Sequence, residues 1–200
     1  MRRFSFRPSL TLTGRKFKGM RGFAGKPFHP PLTDVPIGAY TVVAVLDVLS
    51  KILHSGHKDV AFQLYKGATF TLWVGAVVSL ATALTGFWDW WKASEAGTQA
   101  RRTINAHAWT MITATVLVIV NLIMRTWLYD DALVTPGRVV IVSLVILGLI
   151  TVGGTLGGEL TYDYGFNVET AGDSPVWGKS EADVMPDGSI RGGPTPVQPG

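Results

Sequence analysis

Four apolar runs set what this chain can fold into. Pro36–Leu53 holds 18 residues and is broken by Asp47 and Lys51, while Gly67–Phe87 holds 21 without a charge. Ala106–Met124 holds 19, including His107 and Asn121, and Val139–Leu156 holds 18 uncharged residues. At 1.5 Å per residue each run reaches about 27–32 Å, the thickness of a bilayer hydrocarbon core. A helix apolar on every side has no place on the surface of a soluble domain. The expected fold class is all-α: a four-helix transmembrane bundle whose solvent is the lipid bilayer. The first run begins after more than thirty residues and three more follow, which is not the layout of a signal peptide.

Composition agrees. Charged residues make up 16% and hydrophobic ones 47%, where a soluble domain carries roughly 25% charged residues. No cysteine is present, which excludes disulfides, thiolate zinc, cysteine-held iron–sulfur clusters and a cysteine nucleophile. Charge is segregated along the chain. Eight of the 18 Lys and Arg residues lie in residues 1–28, and seven acids face only Lys179 and Arg191 from Glu159 onward. The spacing predicts a basic arm over 1–28, a membrane domain over 29–170 and a disordered acidic, Gly/Pro-rich tail over 171–200. Phe4, Phe6, Phe17 and Phe23 interleave with the basic residues of the arm. That pattern suits an anionic membrane surface better than nucleic acid. No internal repeat is evident.

Orientation follows from Lys and Arg. With both termini on one side, that side carries 13 of them and the other side five: Lys51, Lys58, Lys66, Arg125 and Arg138. The positive-inside rule puts both termini in the cytoplasm. Trp88, Trp90 and Trp91 then fall in the cytoplasmic aromatic belt, and Trp127 with Tyr129 in the opposite one.

This topology collects the chemistry at one mouth of the bundle. His29 and Asp34 precede span one, Asp89 follows span two, Asn105 and His107 open span three, and Glu159 and Tyr162 close span four. His29, Asp34, Asp89, His107, Glu159 and Tyr162 are the candidate polar cluster. Each has a plainer reading. Asp34 just before Pro36 reads equally as a helix N-cap, Asp89 as an interfacial charge and His107 as an interfacial histidine bonded to a neighbour. Glu159 near a helix C-terminus is opposed by the dipole and calls for a partner such as a histidine, an arginine or a metal. Asp47, deep in span one, needs neutralising; Lys51 stands four residues on along the same face, and Asn121 reaches a similar depth. Gly75, Ser79 and Ala83, and the overlapping pairs Gly153/Gly157 and Gly154/Gly158, read as ridges for close helix packing. The alternative is close approach to a flat cofactor.

His29-Pro-x-x-x-Asp34-x-Pro, Thr85-Gly-x-x-Asp89-Trp, Asn105-x-His107 and Gly153-Gly-x-Leu-Gly-Gly-Glu159-Leu-x-Tyr162 together resemble the domain of unknown function family 2231. The resemblance covers about His29–Tyr162 and implies a four-span protein of a bacterial inner membrane. It also implies association with Rieske-type iron–sulfur domains, and Trp177–Gly188 is faintly similar to the start of one. A Rieske cluster needs two cysteines and two histidines, so the cluster would come from another chain.

Two functional classes remain. In one the chain is a redox subunit holding haem b or a quinone near the cytoplasmic face, working with an iron–sulfur protein, with His29 and His107 as candidate haem ligands. In the other it is a non-catalytic anchor or assembly subunit of a larger membrane complex. A carboxylate–histidine metal site at the mouth is a variant of the first class.

Overall fold

The computed structural model describes residues 19–20, 27–167, 183–184 and 190–191. Four helices dominate it: α1 His29–Leu53, α2 Lys58–Ala93, α3 Gln99–Ile123 and α4 Gly137–Tyr162. The third continues through a π-helical turn at Met124–Leu128. All four are long and apolar enough to cross a membrane. Short connections at 54–57, 94–98 and 129–136 make neighbours run antiparallel, so α1 and α3 start on the same face of the bundle. Asp183–Val184 pairs antiparallel with Ile190–Arg191. The rest of the tail, and the arm phenylalanines expected at the membrane surface, lie outside the described residues.

Helix α1 starts earlier than its apolar run. Pro30 and Pro31 occupy the first turn, where a missing N–H costs nothing, and Phe28 precedes them without a side-chain cap. Asp34 therefore sits inside the helix, exposed, and is not its cap. Pro36 lies in the helix interior and is buried. It cannot donate to the Leu32 carbonyl; the Thr82 hydroxyl of α2 lies 3.3 Å from that oxygen and 3.1 Å from its own helix's Val78 carbonyl, and its one proton serves the two.

The bundle is apolar outside and mixed within. Phe70, Val77, Leu84, Ile141 and Val152 are exposed to the surroundings, whereas Asp47, Asn121, Arg125 and Ser143 are buried. That inversion suits a bilayer, where apolar side chains gain nothing by hiding from lipid and polar groups must pair with one another. Tyr40, Val43, Leu72, Val118, Ile146 and Ile150 form the apolar centre. Gly75 lets α1 and α2 touch, since a Cβ there would lie 2.8 Å from the Tyr40 ring. Beside it the Tyr40 hydroxyl and Ser79 share a 2.6 Å hydrogen bond.

The sequence hides a repeat that burial exposes. The inward residues of α1 from Pro36 to Asp47 are Pro36, Tyr40, Val43, Ala44 and Asp47, with Ser50 buried a turn beyond them. Shifted by 78 positions they become Ala114, Val118, Asn121, Leu122 and Arg125, the inward residues of α3 and its π turn. In α2, Ala68, Leu72, Gly75, Ser79, Thr82 and Asp89 are buried. A shift of 71 gives Val139, Ser143, Ile146, Ile150, Gly153 and Leu160, which is the buried set of α4. The bundle is thus two helical hairpins in register, α1–α2 and α3–α4. Asp47 and Arg125 hold equivalent positions and touch each other. Two equivalent residues in mutual contact lie on the axis that relates the halves.

Candidate functional site

The same shifts pair the two histidines. His29 opens α1 and His107 lies in the third turn of α3, 78 positions on. Each reaches the second helix of its own hairpin in the same way. His29 Nδ1 lies 3.0 Å from the Thr82 carbonyl oxygen, and His107 Nδ1 lies 2.8 Å from the Gly153 carbonyl oxygen. Thr82 and Gly153 are themselves equivalent. A helical carbonyl keeps a second lone pair after bonding within the helix, so it accepts from an imidazole N–H without breaking the helix. The arrangement fixes the tautomer: Nδ1 carries the proton and Nε2 keeps its lone pair. Among the described residues neither Nε2 has a hydrogen-bond partner.

A glycine follows each accepting carbonyl by four residues, on the same helix face. A Cβ at Gly86 would meet His29 Cε1 at 2.6 Å, and one at Gly157 would meet His107 Cε1 at 3.5 Å. The first approach is possible only without a side chain; the second is ordinary contact. Thr85 adds a hydroxyl 3.3 Å from His29 Nδ1, where the second hairpin has Leu156. The glycine ridges thus serve ring and helix approach together. Gly153 also faces Met111, whereas Gly154 has nothing within 4 Å and Ala83 is exposed.

The other members of the expected cluster go elsewhere. Asp89 is buried and accepts a 2.9 Å hydrogen bond from the Met20 backbone N–H. The Phe28 N–H in turn donates to the Met20 carbonyl at 3.1 Å, so Asp89 ties the chain ahead of α1 to the end of α2. Asn105 accepts from the Trp90 indole at 2.8 Å, and Arg101 stacks on the Trp90 ring at 4.1 Å. Glu159 is inside α4, and among the described residues its side chain accepts from the Tyr164 hydroxyl at 3.2 Å. Tyr162 is exposed and Asp34 makes no side-chain hydrogen bond among the described residues. The structure therefore gives His29 and His107 equivalent mounts on their own hairpins and leaves Asp34, Glu159 and Tyr162 outside their hydrogen bonds. Among the described residues no group of three or more His, Asp or Glu side chains is placed to hold a metal ion. A groove of about 430 Å³ between α1 and α2, lined by Leu46, Gln63 and Gly67, lies toward the opposite end.

That opposite half carries a second polar layer with a different character. The Asp47 carboxylate pairs with Arg125 Nη2, both side chains fully buried. It also accepts from Ser143 at 2.6 Å and Thr135 at 3.2 Å. Arg125 donates further to Asn121 at 2.7 Å and Thr69 at 3.2 Å, and its guanidinium lies over the Tyr65 ring at 5.4 Å. Asn121 donates to Ser143 at 2.9 Å. The partner of Asp47 is thus Arg125, not Lys51, whose side chain is exposed. Asp47 faces the axis, while Lys51, a turn further toward the helix end, turns out to the interface. Arg125 reads as a loop charge because the apolar run stops at Met124. It stands four residues after the buried Asn121, so the inward stripe of α3 carries it into the bundle.

Fold and polar layers together define a four-helix integral membrane protein, with lipid against its outer surface. The family model for DUF2231, described as a predicted membrane protein, matches residues 25–170. The chain belongs to that family. No curated protein and no solved structure matches it.

Proposed function

We propose that the protein is a redox subunit of a bacterial inner membrane, holding haem b between His29 and His107. Both termini lie in the cytoplasm, and the electron partner is an iron–sulfur protein on another chain. One observation carries this reading: two equivalent imidazoles, one from each hairpin, with Nδ1 committed to a backbone carbonyl and Nε2 uncommitted. Metal-bound histidines are oriented in this way, the second nitrogen donating to a carbonyl or carboxylate that fixes the ring and raises its basicity. Two imidazole nitrogens would suit haem iron, with His29 and His107 holding it, and are too few donors for a zinc site. Haem b held by His29 and His107 would supply one-electron transfer. The protein's own contribution is the rest. Thr82 and Gly153 hold the rings, and Gly86 makes room for that of His29.

The visible spectrum of protein purified from haem-replete cells tests this. The expected result is a Soret band that shifts on dithionite reduction. A colourless preparation would overturn the redox reading and leave the anchor reading in its place. Reporters fused ahead of Met1 and after Gly200 are expected to read cytoplasmic, and one inserted at Asp131 external. The reverse pattern would put the histidine end outside.

A further inference from the structure

The two histidines share a mount but stand on different footings. Eight residues of helix, 99–106, run ahead of His107. The Thr98 hydroxyl caps their start by accepting from the Arg101 N–H at 3.1 Å. His29 is itself the first residue of α1. Phe28 gives that helix no side-chain cap, and Pro30 and Pro31 follow at once. The first turn of an uncapped helix frays, because its N–H groups have no partner within the helix. A ring carried there keeps its place only if something else fixes the backbone.

Helix α2 supplies the missing support. Thr82, Gly86 and Asp89 stand four and then three residues apart, on one face of the helix. Thr82 offers its carbonyl oxygen to His29 Nδ1 at 3.0 Å, and Gly86 takes the edge of the ring. Asp89, one turn on, is buried and accepts from the Met20 N–H at 2.9 Å. The Met20 carbonyl accepts from the Phe28 N–H at 3.1 Å, which passes the attachment to the residue directly ahead of His29. In α4 the first two members of this face are kept as Gly153 and Gly157, but the third is Leu160, whose side chain accepts nothing. The position equivalent to Met20 is Thr98, the cap of α3. Thus the hairpin that lacks the helical footing has the carboxylate, and the hairpin that lacks the carboxylate has the footing.

We infer that Asp89 is a positioning residue for His29: by pinning the chain at Met20 it does for the first histidine what two turns of capped helix do for the second. Its partner is a backbone N–H, which every residue except proline supplies, so the requirement falls on the acceptor at position 89. The consequence for a bound haem rests on the proposed function. The placing of the His29 ring against Thr82 does not.

Diethyl pyrocarbonate acylates an accessible unprotonated imidazole, and mass spectrometry resolves the four histidines of the chain. In the full chain in detergent, Asp89→Ala is expected to raise the modification rate of His29 about fivefold, as loss of one hydrogen bond does. The rate at His107 is expected to stay at its wild-type value. Asp89→Asn keeps an acceptor oxygen in the same place and is expected to restore the wild-type rate at His29. Met20→Pro removes the donor and leaves α2 untouched, so it is expected to act as Asp89→Ala does and carries the test if that variant fails to fold. The inference fails if His29 stays at the wild-type rate in both variants, if His107 rises as much as His29, or if Asp89→Asn does not rescue. A colourless wild-type protein would overturn the haem reading and leave these rates to decide the inference. A haem-bearing protein whose His29 is unmoved by either variant would overturn the inference alone.

Discussion

The two polar layers of the bundle treat its internal repeat in opposite ways. At one end equivalent positions keep the same chemistry: His29 with His107, Gly86 with Gly157, carbonyl with carbonyl. At the other they carry opposite chemistry, Asp47 with Arg125. The histidines do not bond each other; each bonds the second helix of its own hairpin. Complementary groups satisfy each other and need nothing else. The difference is visible in the bonding, because every heteroatom of the Asp47 and Arg125 side chains is engaged, whereas each histidine keeps one nitrogen uncommitted. One layer holds the halves together, and the other leaves the two Nε2 atoms without a partner among the described residues.

The largest effect should come from breaking the closed layer. Arg125→Ala leaves Asp47 charged and unpaired on the axis, and loss of one partner of a buried pair costs about 3–5 kcal/mol. Thermal unfolding in detergent is expected to show a collapse of stability or no folded protein. A midpoint within a few degrees of wild type would mean the layer is not closed as described.

Next in size is an asymmetry within the open layer. Gly86→Ala forces a Cβ to 2.6 Å from the His29 ring, whereas Gly157→Ala meets His107 at 3.5 Å. The first should cost about 1–3 kcal/mol, as overpacking does, and move His29 off its carbonyl. The second should be close to neutral. Equal effects in thermal unfolding would contradict the geometry of the two rings. Smallest of all is Lys51→Ala. If Asp47 is neutralised by Arg125 and not by its own helix neighbour, the change stays within about 0.5 kcal/mol, as at an ordinary surface site.

Much of this was legible in the residues. The four apolar runs locate the four helices, because length and hydropathy leave a bilayer-spanning segment few alternatives. His29 and His107 stand out as two imidazoles near one membrane face. What stayed hidden depended on phase and on tertiary context. The repeat is invisible as sequence because equivalence fixes burial and not identity: Tyr40 matches Val118, and Leu72 matches Ser143. The shift also changes from 78 to 71 between the two helices of each hairpin, since the connections differ in length. Asp34 looks like a cap only if Pro36 opens the helix. A hydroxyl on another helix, Thr82, lets the helix run through that proline instead. Arg125 was legible to anyone following the stripe four residues past Asn121, yet the end of the apolar run masked it. Gly86 shows its purpose only when His29 is placed against it.

The central claim is that two equivalent histidines share one ligand, and haem stoichiometry tests it most directly. Protein purified from haem-replete cells is expected to carry one haem per chain by the pyridine haemochrome assay. His29→Ala and His107→Ala are each expected to lower that content, and to similar extents, because each removes one of two equivalent axial ligands. Two haems per chain, or a loss caused by only one of the two substitutions, would contradict a ligand shared across the axis.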